Sequence, residues 1–362
     1  MKYRNICFVI HSLQVGGMER VMAEIVDYFV TTNKYEVHLV LYGIKREIFY
    51  EVPKEVIIHK PKFEFDNSKR LSSTLKTLRF LRNEIKKIDP ISVLSFGERW
   101  NNLVLLSLLG TSIPVYVSDR AQPDKPLGLK DDFLRRKLYP KAKGIIAQTS
   151  QAKDFYETSL ANYPEIRVIG NPINQQEIVT IPREKIVLSV GRLIESKHHD
   201  ELIKLFVKIN KQDWKLIIVG GDALNQHNKH KLEGLVKSLN AQDRVVLAGN
   251  QQDVASYYKK SAVFAFTSSS EGFPNVVGEA LSFGLPAVSF DCIAGPSDMI
   301  LDGENGYLIK LFDYQEFASK LSLLMEDTIL REEMAVFAPT SIRKFEKSNI
   351  GKAYFEFITQ SS

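Results

Sequence analysis

Two glutamates, Glu271 and Glu279, are separated by seven residues in a segment that follows a predicted buried strand and opens a predicted helix. Each carboxylate can accept two hydroxyl hydrogen bonds, as the vicinal diols of a sugar or a ribose require. Pro274 suits the first turn of that helix and leaves the next three backbone amides free to donate to an anion. These amides belong to Asn275, Val276 and Val277. The segment predicts a site for a ligand with hydroxyls and negative charge, although a helix cap at Glu271 and a surface charge at Glu279 would also fit.

Two cations follow another predicted strand, at residues 185–190, where the next helix should begin. They are Arg192, directly after Gly191, and Lys197, five positions later. Ligands of open α/β sheets bind at the carboxyl ends of strands, and Arg with Lys beside a helix N-terminus suits a diphosphate. The alternative is an ordinary pair of solvated surface residues.

A diglycine, Gly16 and Gly17, lies between the first predicted strand and a predicted helix that begins near Met18. Such tight backbone can admit a phosphate to a helix N-terminus. The full G-x-G-x-x-G pattern is absent, and no acidic residue is placed as a ribose ligand, which disfavours a dinucleotide site. A plain strand-to-helix turn is the other interpretation.

Short apolar runs rich in Val and Ile alternate with helical periodicity in both halves of the chain, which predicts two Rossmann-like α/β domains with parallel sheets. The predicted strands are residues 6–10, 37–41, 91–94, 115–117, 185–190, 216–219, 245–247, 263–266 and 287–290. A breaker-rich passage places the boundary between domains 1–171 and 172–362. The tail from about residue 340 predicts an amphipathic helix that packs on either domain.

The composition is that of an ordinary soluble globular protein, with 362 residues, 44% hydrophobic and 25% charged. Collagenous, coiled-coil and disordered classes are excluded. The two cysteines lack C-x-x-C spacing, so we expect neither a disulfide framework nor a zinc site, and a reducing cytoplasm fits best. No apolar run approaches the roughly 20 residues of a membrane span.

The formal net charge is +5, and the excess of cations lies in the first half, which indicates an anionic partner there. The run 69–87 combines an apolar stripe with many cations, and the cluster Arg135, Arg136 and Lys137 follows. The stripe consists of Leu71, Leu75, Leu78, Leu81 and Ile85. A basic amphipathic helix of this kind can rest on anionic lipid. A helix that faces the core and solvates its basic side is the alternative.

The order and spacing of these motifs resemble those of the family-four retaining glycosyltransferases of the GT-B fold, over essentially the whole chain. The fold this implies has two Rossmann-like domains facing a central cleft. The segment Gly295–Asp298 resembles one in bacterial relatives that transfer galactose or N-acetylhexosamine units in surface-polysaccharide or lipid-linked oligosaccharide assembly.

The resemblance implies a nucleotide-sugar donor, best a UDP-sugar, and retention of configuration. Arg192 and Lys197 would neutralise the diphosphate, approached by Gly16 and Gly17, and Glu271 would hold hydroxyls of the transferred sugar. Glu279 would take the ribose. The remaining donor contacts would come from Asn250 near the base and from Gly272, Phe273, Pro274, Asn275, Val276 and Val277. No metal is expected, since there is no Asp-x-Asp motif and the adjacent His198 and His199 would point about 100° apart.

The acceptor would be lipid-linked or a glycan, met by the first domain at the cytoplasmic face of the membrane. Candidate residues at the ends of two predicted strands are Glu98, Arg99, Asp119 and Arg120. Relatives often carry a histidine where this chain has residues 117–120.

A nucleotide-sugar epimerase on the same fold is a second hypothesis for the function. A nucleic-acid binding protein is a third, though no recognition motif for nucleic acid is present.

Overall fold

The computed structural model describes residues 4–43, 47–176, 182–223 and 226–360. The chain forms two compact units. One contains Met1–Pro172 together with Lys347–Ser362, and the other contains Ile173–Glu346. The second unit therefore ends before the last helix, which the sequence had grouped with domain 172–362 while leaving its packing open.

The first unit is built around a seven-stranded parallel sheet with the order β3-β2-β1-β4-β5-β6-β7. Its strands are β1 (Arg4–Ile10), β2 (Tyr35–Leu41), β3 (Ile57–His59), β4 (Val93–Phe96), β5 (Val115–Ser118), β6 (Gly144–Ala147) and β7 (Glu165–Val168). Its helices are α1 (Gly17–Thr31), α2 (Arg70–Ile88), α3 (Glu98–Leu108), α4 (Leu129–Leu138), α5 (Ser150–Ser159) and α12 (Lys347–Thr359). Most strands are apolar along their length because helices bury both faces of a parallel sheet.

The second unit has a six-stranded parallel sheet with the order β10-β9-β8-β11-β12-β13. Its strands are β8 (Ile186–Val190), β9 (Lys215–Val219), β10 (Val245–Gly249), β11 (Val263–Phe266), β12 (Ala287–Asp291) and β13 (Gly306–Lys310). Its helices are α6 (His199–Ile209), α7 (Asn228–Ser238), α8 (Ala255–Lys260), α9 (Asn275–Ser282), α10 (Tyr314–Glu326) and α11 (Thr328–Ser341). The predicted α/β fold class is confirmed.

The strand order reverses beside the first strand of each sheet, and this fixes where ligands bind in such folds. In the second unit β8 lies between β9 and β11. The loops after β8 and β11 therefore diverge to opposite faces and leave a crevice at their carboxyl ends. Arg192 and Lys197 follow β8 and Glu271 follows β11, so the topology positions all three at the switch point.

The C-terminal helix α12 packs on α1 within the first unit. Lys347 Nζ is 2.6 Å from Asp27 Oδ2, and Phe355 packs against Phe29 with ring centroids 5.2 Å apart. A Cβ added to Gly351 would lie 2.3 Å from the Tyr28 ring, so glycine is required for this close helix contact. The apolar face predicted for the tail helix is therefore buried within the first unit.

Candidate functional site

The loop after β8 carries the two predicted cations, which differ in their exposure to solvent and in their ion pairing. Arg192 is exposed to solvent, and it makes no ion pair with any described residue. Lys197 ends a 3₁₀ turn, Glu195–Lys197, directly before α6. Its side chain turns inward, only 14% exposed, and the Nζ lies 5.1 Å from the centroid of the Phe266 ring.

The Lys197 ammonium forms a direct ion pair with the carboxylate of Glu271, whose side chain is 15% exposed. The partners are 74 residues apart in sequence and meet because their loops leave neighbouring strands. The charges of a largely buried pair of this kind attract each other more strongly than those of a surface pair, since water screens them less. The structure thus brings together two of the three predicted catalytic groups.

Backbone and hydroxyl contacts join the two loops beneath this pair. The Ser269 amide donates to Ser196 O at 2.8 Å, and the Thr267 hydroxyl donates to Lys197 O at 2.7 Å. Ser268 Oγ lies 3.3 Å from Ser196 O. The serine-rich run before Glu271 therefore fixes the backbone on which both charged side chains sit.

His198 takes a left-handed conformation with φ 49°, which glycine adopts more readily than residues with a side chain. Its Nε2 lies 2.8 Å from Ser269 Oγ. The neighbouring His199 is buried, and burial, reinforced by the charge of Lys197, lowers its pKa to about 4. Within the described ranges no three His, Cys, Asp or Glu side chains are grouped as a metal site would need.

The start of α9 differs from the sequence expectation. Pro274 is the N-cap residue, and a tight turn there already uses two of the amides predicted to be free. Asn275 N donates to Phe273 O and Val277 N donates to Pro274 O, each at 2.9 Å. A helix of only eight residues that begins with a 3₁₀-like turn spends its first donors internally.

Glu279 lies on α9 and is held by a residue that the sequence did not single out. The hydroxyl of Tyr258, on the short helix α8, donates to Glu279 Oε2 at 3.2 Å. Tyr258 is buried, and its ring stacks on Phe283 with centroids 5.2 Å apart. The signal in the sequence was an aromatic residue shortly after the predicted base-binding loop.

Glycines after β9 are a second feature that sequence reasoning missed. Gly220 has φ 144°, and a Cβ on it would lie 1.9 Å from Gly191 O. The side chain of Asn250 lies against Gly221, where a Cβ would be 2.6 Å from the amide nitrogen. The loops after β8, β9 and β10 thus approach one another so closely that only glycine fits, and a strand followed by two glycines was the available signal.

In the first unit, the diglycine turn begins α1 and is fixed by Tyr50. The Tyr50 hydroxyl donates to Gly16 O at 2.9 Å and lies 3.1 Å from Gly16 N. Helix α1 starts at Gly17. The role of Gly16 and Gly17 against a diphosphate stays a prediction.

The predicted acceptor residues make internal contacts in the first unit. Glu98 accepts hydrogen bonds from the backbone amides of Arg120, at 2.7 Å, and Ala121, at 2.5 Å. The Arg120 guanidinium donates to Asn171 Oδ1 at 2.5 Å and lies over the Phe96 ring, 4.5 Å from its centroid. Arg99 is more exposed, with its Nε 3.5 Å from Asp131 Oδ2. Glu98 and Arg120 thus shape the ends of β4 and β5.

Asp119 is buried in a cage of hydrogen-bond donors rather than presented to a ligand. The hydroxyls of Tyr139 and Tyr156 both donate to its carboxylate, the latter at 2.5 Å, and Asn101 Nδ2 donates at 2.9 Å. Burial, followed by the nearby charge of Glu98, raises the pKa of Asp119 to about 6 in spite of these donors.

This raised pKa predicts a pH dependence of stability. Between about pH 4 and pH 6 the folded state keeps a proton on the Asp119 carboxyl group, whereas the unfolded state, in which the pKa is 3.8, has released it. The carboxyl group therefore stabilises the fold fully only below about pH 4, and that contribution is lost as the pH rises through about 6. We expect Asp119→Asn to abolish this decline, which amounts to about 2 kcal/mol between pH 4 and pH 7.

Urea unfolding at several pH values would measure the effect, with the exposed Asp154→Asn as the matched control. An Asp119→Asn protein whose free energy of unfolding declines as steeply as that of the wild type would contradict the assignment.

Two family models match the chain and together span most of it. Residues 15–177 match Glycosyltransferase Family 4, and residues 172–340 match Glycosyl transferases group 1. A relative from Campylobacter jejuni is 30% identical over 370 residues, covering 96% of this chain and 98% of that protein. It is named N-acetylgalactosamine-N,N'-diacetylbacillosaminyl-diphospho-undecaprenol 4-alpha-N-acetylgalactosaminyltransferase.

Solved structures share the fold over nearly the whole chain. The lipopolysaccharide outer core galactosyltransferase WaaB in its apo form matches with a TM-score of 0.84 and 20% identity, covering 99% of this chain and all of that one. Anabaena Alr3699/HepE in complex with UDP matches with a TM-score of 0.80 and 17% identity, covering 98% and 100%.

Two parallel Rossmann-like sheets, together with the likeness to these solved structures, define the GT-B fold. The chain belongs to the family-four glycosyltransferases, and the resemblance seen in its motifs is confirmed. Its relatives act in surface-polysaccharide and lipid-linked glycan assembly. No helix in the described part of the chain is long and apolar enough to span a bilayer.

Proposed function

We propose that this glycosyltransferase transfers a hexose or N-acetylhexosamine, best galactose or N-acetylgalactosamine, from a UDP-sugar with retention of configuration. The observation that carries the proposal is the Lys197–Glu271 pair, which places an ammonium and a carboxylate side by side at the switch point of the second sheet. A diphosphate needs the first group and sugar hydroxyls need the second. The naming of a similar fold in complex with UDP supports the choice of nucleotide.

The cationic residues of the site bind the diphosphate, and the carboxylates bind hydroxyl groups of the donor. As the anomeric C–O bond breaks, negative charge grows on the departing diphosphate, and Lys197 stabilises that charge more than it stabilises the intact donor. Arg192 is exposed and unpaired among the described residues, so its guanidinium is open to a phosphate. Glu271 binds hydroxyls of the transferred sugar, and Glu279, held by Tyr258, binds the ribose.

The acceptor hydroxyl attacks the anomeric carbon on the face from which the diphosphate leaves, which retains the configuration. Its proton passes to an oxygen of the leaving phosphate, so the products are the new glycoside and UDP. In this scheme fixed cations stabilise the leaving group and no divalent metal is required. Product analysis by NMR of the anomeric proton, with and without EDTA, tests both statements.

A thermal-shift screen against nucleotide sugars tests the donor class directly. A ligand at 100 times its Kd stabilises a protein by about 2.7 kcal/mol, and we expect that effect from a UDP-sugar and from UDP. Incubation with the UDP-sugar alone should yield no epimer. Failure of every nucleotide to raise the unfolding midpoint would contradict the proposal.

Replacing Tyr258 by phenylalanine removes the hydroxyl that fixes Glu279. We expect KM for the donor to rise about three- to tenfold, the worth of one hydrogen bond to a charged group, with kcat changed less than twofold. Steady-state kinetics would show this split, and Tyr257→Phe on the same helix is the matched control. An unchanged KM in Tyr258→Phe would contradict a positioning role.

We further propose that the protein acts on a lipid-linked or glycan acceptor at the cytoplasmic face of the membrane. The name of the Campylobacter relative includes a diphospho-undecaprenol acceptor. In the first unit, the buried face of α2 comprises Ser73, Thr77, Leu81, Ile85 and Ile88. Two leucines at its start are left outside this face, Leu71 at 77% and Leu75 at 49% exposed.

Exposed apolar and cationic side chains also lie together on α4. Leu129 is 94% and Phe133 55% exposed, and the last turn carries Arg136 and Lys137. Apolar side chains among cations suit an anionic lipid surface. This favours membrane contact over a helix that merely solvates its basic side.

Vesicle co-sedimentation tests the membrane contact. We expect Leu71→Gln with Leu75→Gln to reduce binding to phosphatidylglycerol vesicles about tenfold, because insertion of these two exposed leucines into lipid contributes several kcal/mol at most. The matched control is Ile329→Gln with Val336→Gln, two exposed residues of α11. Equal binding of all three proteins would contradict the proposed surface.

A further inference from the structure

The cation proposed to bind the diphosphate already has a counter-ion in the ligand-free protein. The Lys197 ammonium contacts the Glu271 carboxylate directly, and both side chains are about six-sevenths buried, at 14% and 15% exposure. The ammonium also lies 5.1 Å from the centroid of the Phe266 ring. Any diphosphate that approaches Lys197 therefore also approaches the negative charge of Glu271.

We propose that Glu271 distinguishes the intact donor from the UDP product and promotes product release. This rests on the proposed function. When a UDP-sugar binds, hydroxyls of the sugar donate to Glu271 and offset the repulsion between its carboxylate and the diphosphate. After transfer the sugar has left, Glu271 lacks donors, and it returns to Lys197 in competition with the diphosphate.

The exchange needs only side-chain movement. The backbone under both residues is fixed by the hydrogen bonds from Ser269 N to Ser196 O and from Thr267 Oγ1 to Lys197 O. Lys197 has a long, flexible stem with three N–H donors, and it can change partner without moving its loop. The site therefore has two states on the same fixed loops. In one Lys197 contacts the Glu271 carboxylate, and in the other it contacts the diphosphate.

A carboxylate with no other role than sugar binding would leave UDP affinity unchanged when it is neutralised. In the present account, Glu271→Gln relieves the repulsion and frees Lys197, so UDP should bind more tightly. Because product release often limits turnover in enzymes that act on tightly held nucleotides, the competition has a kinetic benefit.

Isothermal titration of UDP and uridine into the full-length wild type, Glu271→Gln and Glu279→Gln tests the inference. We expect Glu271→Gln to bind UDP about tenfold more tightly, since a like charge close to the diphosphate is removed, and uridine, which has no phosphate, unchanged. Glu279→Gln, the matched carboxylate on α9, should bind both ligands more weakly.

UDP affinity in Glu271→Gln that is equal to or below that of the wild type would overturn the inference, provided that Lys197→Ala weakens UDP binding. If the wild type bound no UDP, or if Lys197→Ala bound it as well as the wild type, the proposed function itself would be wrong. Glu271→Asp, which keeps the charge but shortens the side chain by one methylene, gives a second measurement. It should bind UDP with an affinity between those of the wild type and Glu271→Gln, and an affinity no higher than that of the wild type would also count against the inference.

Discussion

Lys197→Ala should lower kcat for sugar transfer by about 10³-fold, because one preorganised donor to a developing negative charge is worth roughly that factor. The ammonium is half of a largely buried ion pair at the switch point of the second sheet, whereas Arg192, the other proposed phosphate ligand, is exposed to solvent. The measurement is the single-turnover rate with saturating UDP-sugar and acceptor.

The matched control is Lys204→Ala. Lys204 lies on α6 of the same unit, 46% exposed, and pairs with Glu201 and Asp200 on the surface. Surface pairs contribute about 1 kcal/mol or less to stability, and this one has no proposed contact with the donor. If both alanine variants retained wild-type rates while folded, as judged by circular dichroism, the role of Lys197 would be disproved.

Glu271→Gln should lower kcat/KM for transfer by about 10²-fold, since the amide keeps the shape of the carboxylate but loses its charge-assisted hydrogen bonds to the sugar. The loss should appear with the intact donor. Steady-state kinetics with varied UDP-sugar measures it, and Glu195→Gln serves as the control because Glu195 is exposed on the same 3₁₀ turn as Lys197.

An activity of Glu271→Gln within twofold of the wild type would remove Glu271 from the sugar site. Together with its predicted gain in UDP affinity, the variant separates two roles of one carboxylate, binding of the sugar and expulsion of the product. If the Glu271 carboxylate were merely structural, Glu271→Gln would change the transfer activity and the UDP affinity in the same direction.

The sequence predicted the second unit in most of its detail. All five strands expected there are present, because each is a short, mostly apolar run that can be recognised from its own residues. The sixth strand, Gly306–Lys310, was missed. It is an edge strand with a lysine at its end and a glycine at its start, so its apolar run is too short to stand out.

In the first unit β3, β6 and β7 were also missed. β3 has only three residues, and β7 reads Glu-Ile-Arg-Val, with one buried residue. β6 is a fully buried Gly-Ile-Ile-Ala run, and its apolar stretch is as long as the predicted strand at residues 115–117, so its length does not explain the miss. Strand assignment from apolar runs fails for β3 and β7 because few of their residues are buried.

In the candidate site, too, some features can be recognised from the sequence and others depend on contacts made by the fold. Lys197 and Glu271 could be assigned to one donor site from the sequence, because each follows a strand of a predicted doubly wound sheet, but their ion pair was not predicted. Tyr258 and Gly220 were missed in spite of the signals noted above, since the hydrogen bond to Glu279 and the close approach to Gly191 O are created only by the fold. Asp119 was expected to face a ligand, but two tyrosines distant in sequence enclose it.

Every role proposed for the site depends on where the diphosphate of the donor lies. A crystal structure of the full-length enzyme with an intact, non-transferable UDP-sugar would decide this in one measurement. We expect a phosphate oxygen within hydrogen-bonding distance of Lys197 Nζ and the Glu271 carboxylate turned to hydroxyls of the sugar. A bound nucleotide whose phosphates lie elsewhere, with Lys197 still paired to Glu271, would contradict the central claim.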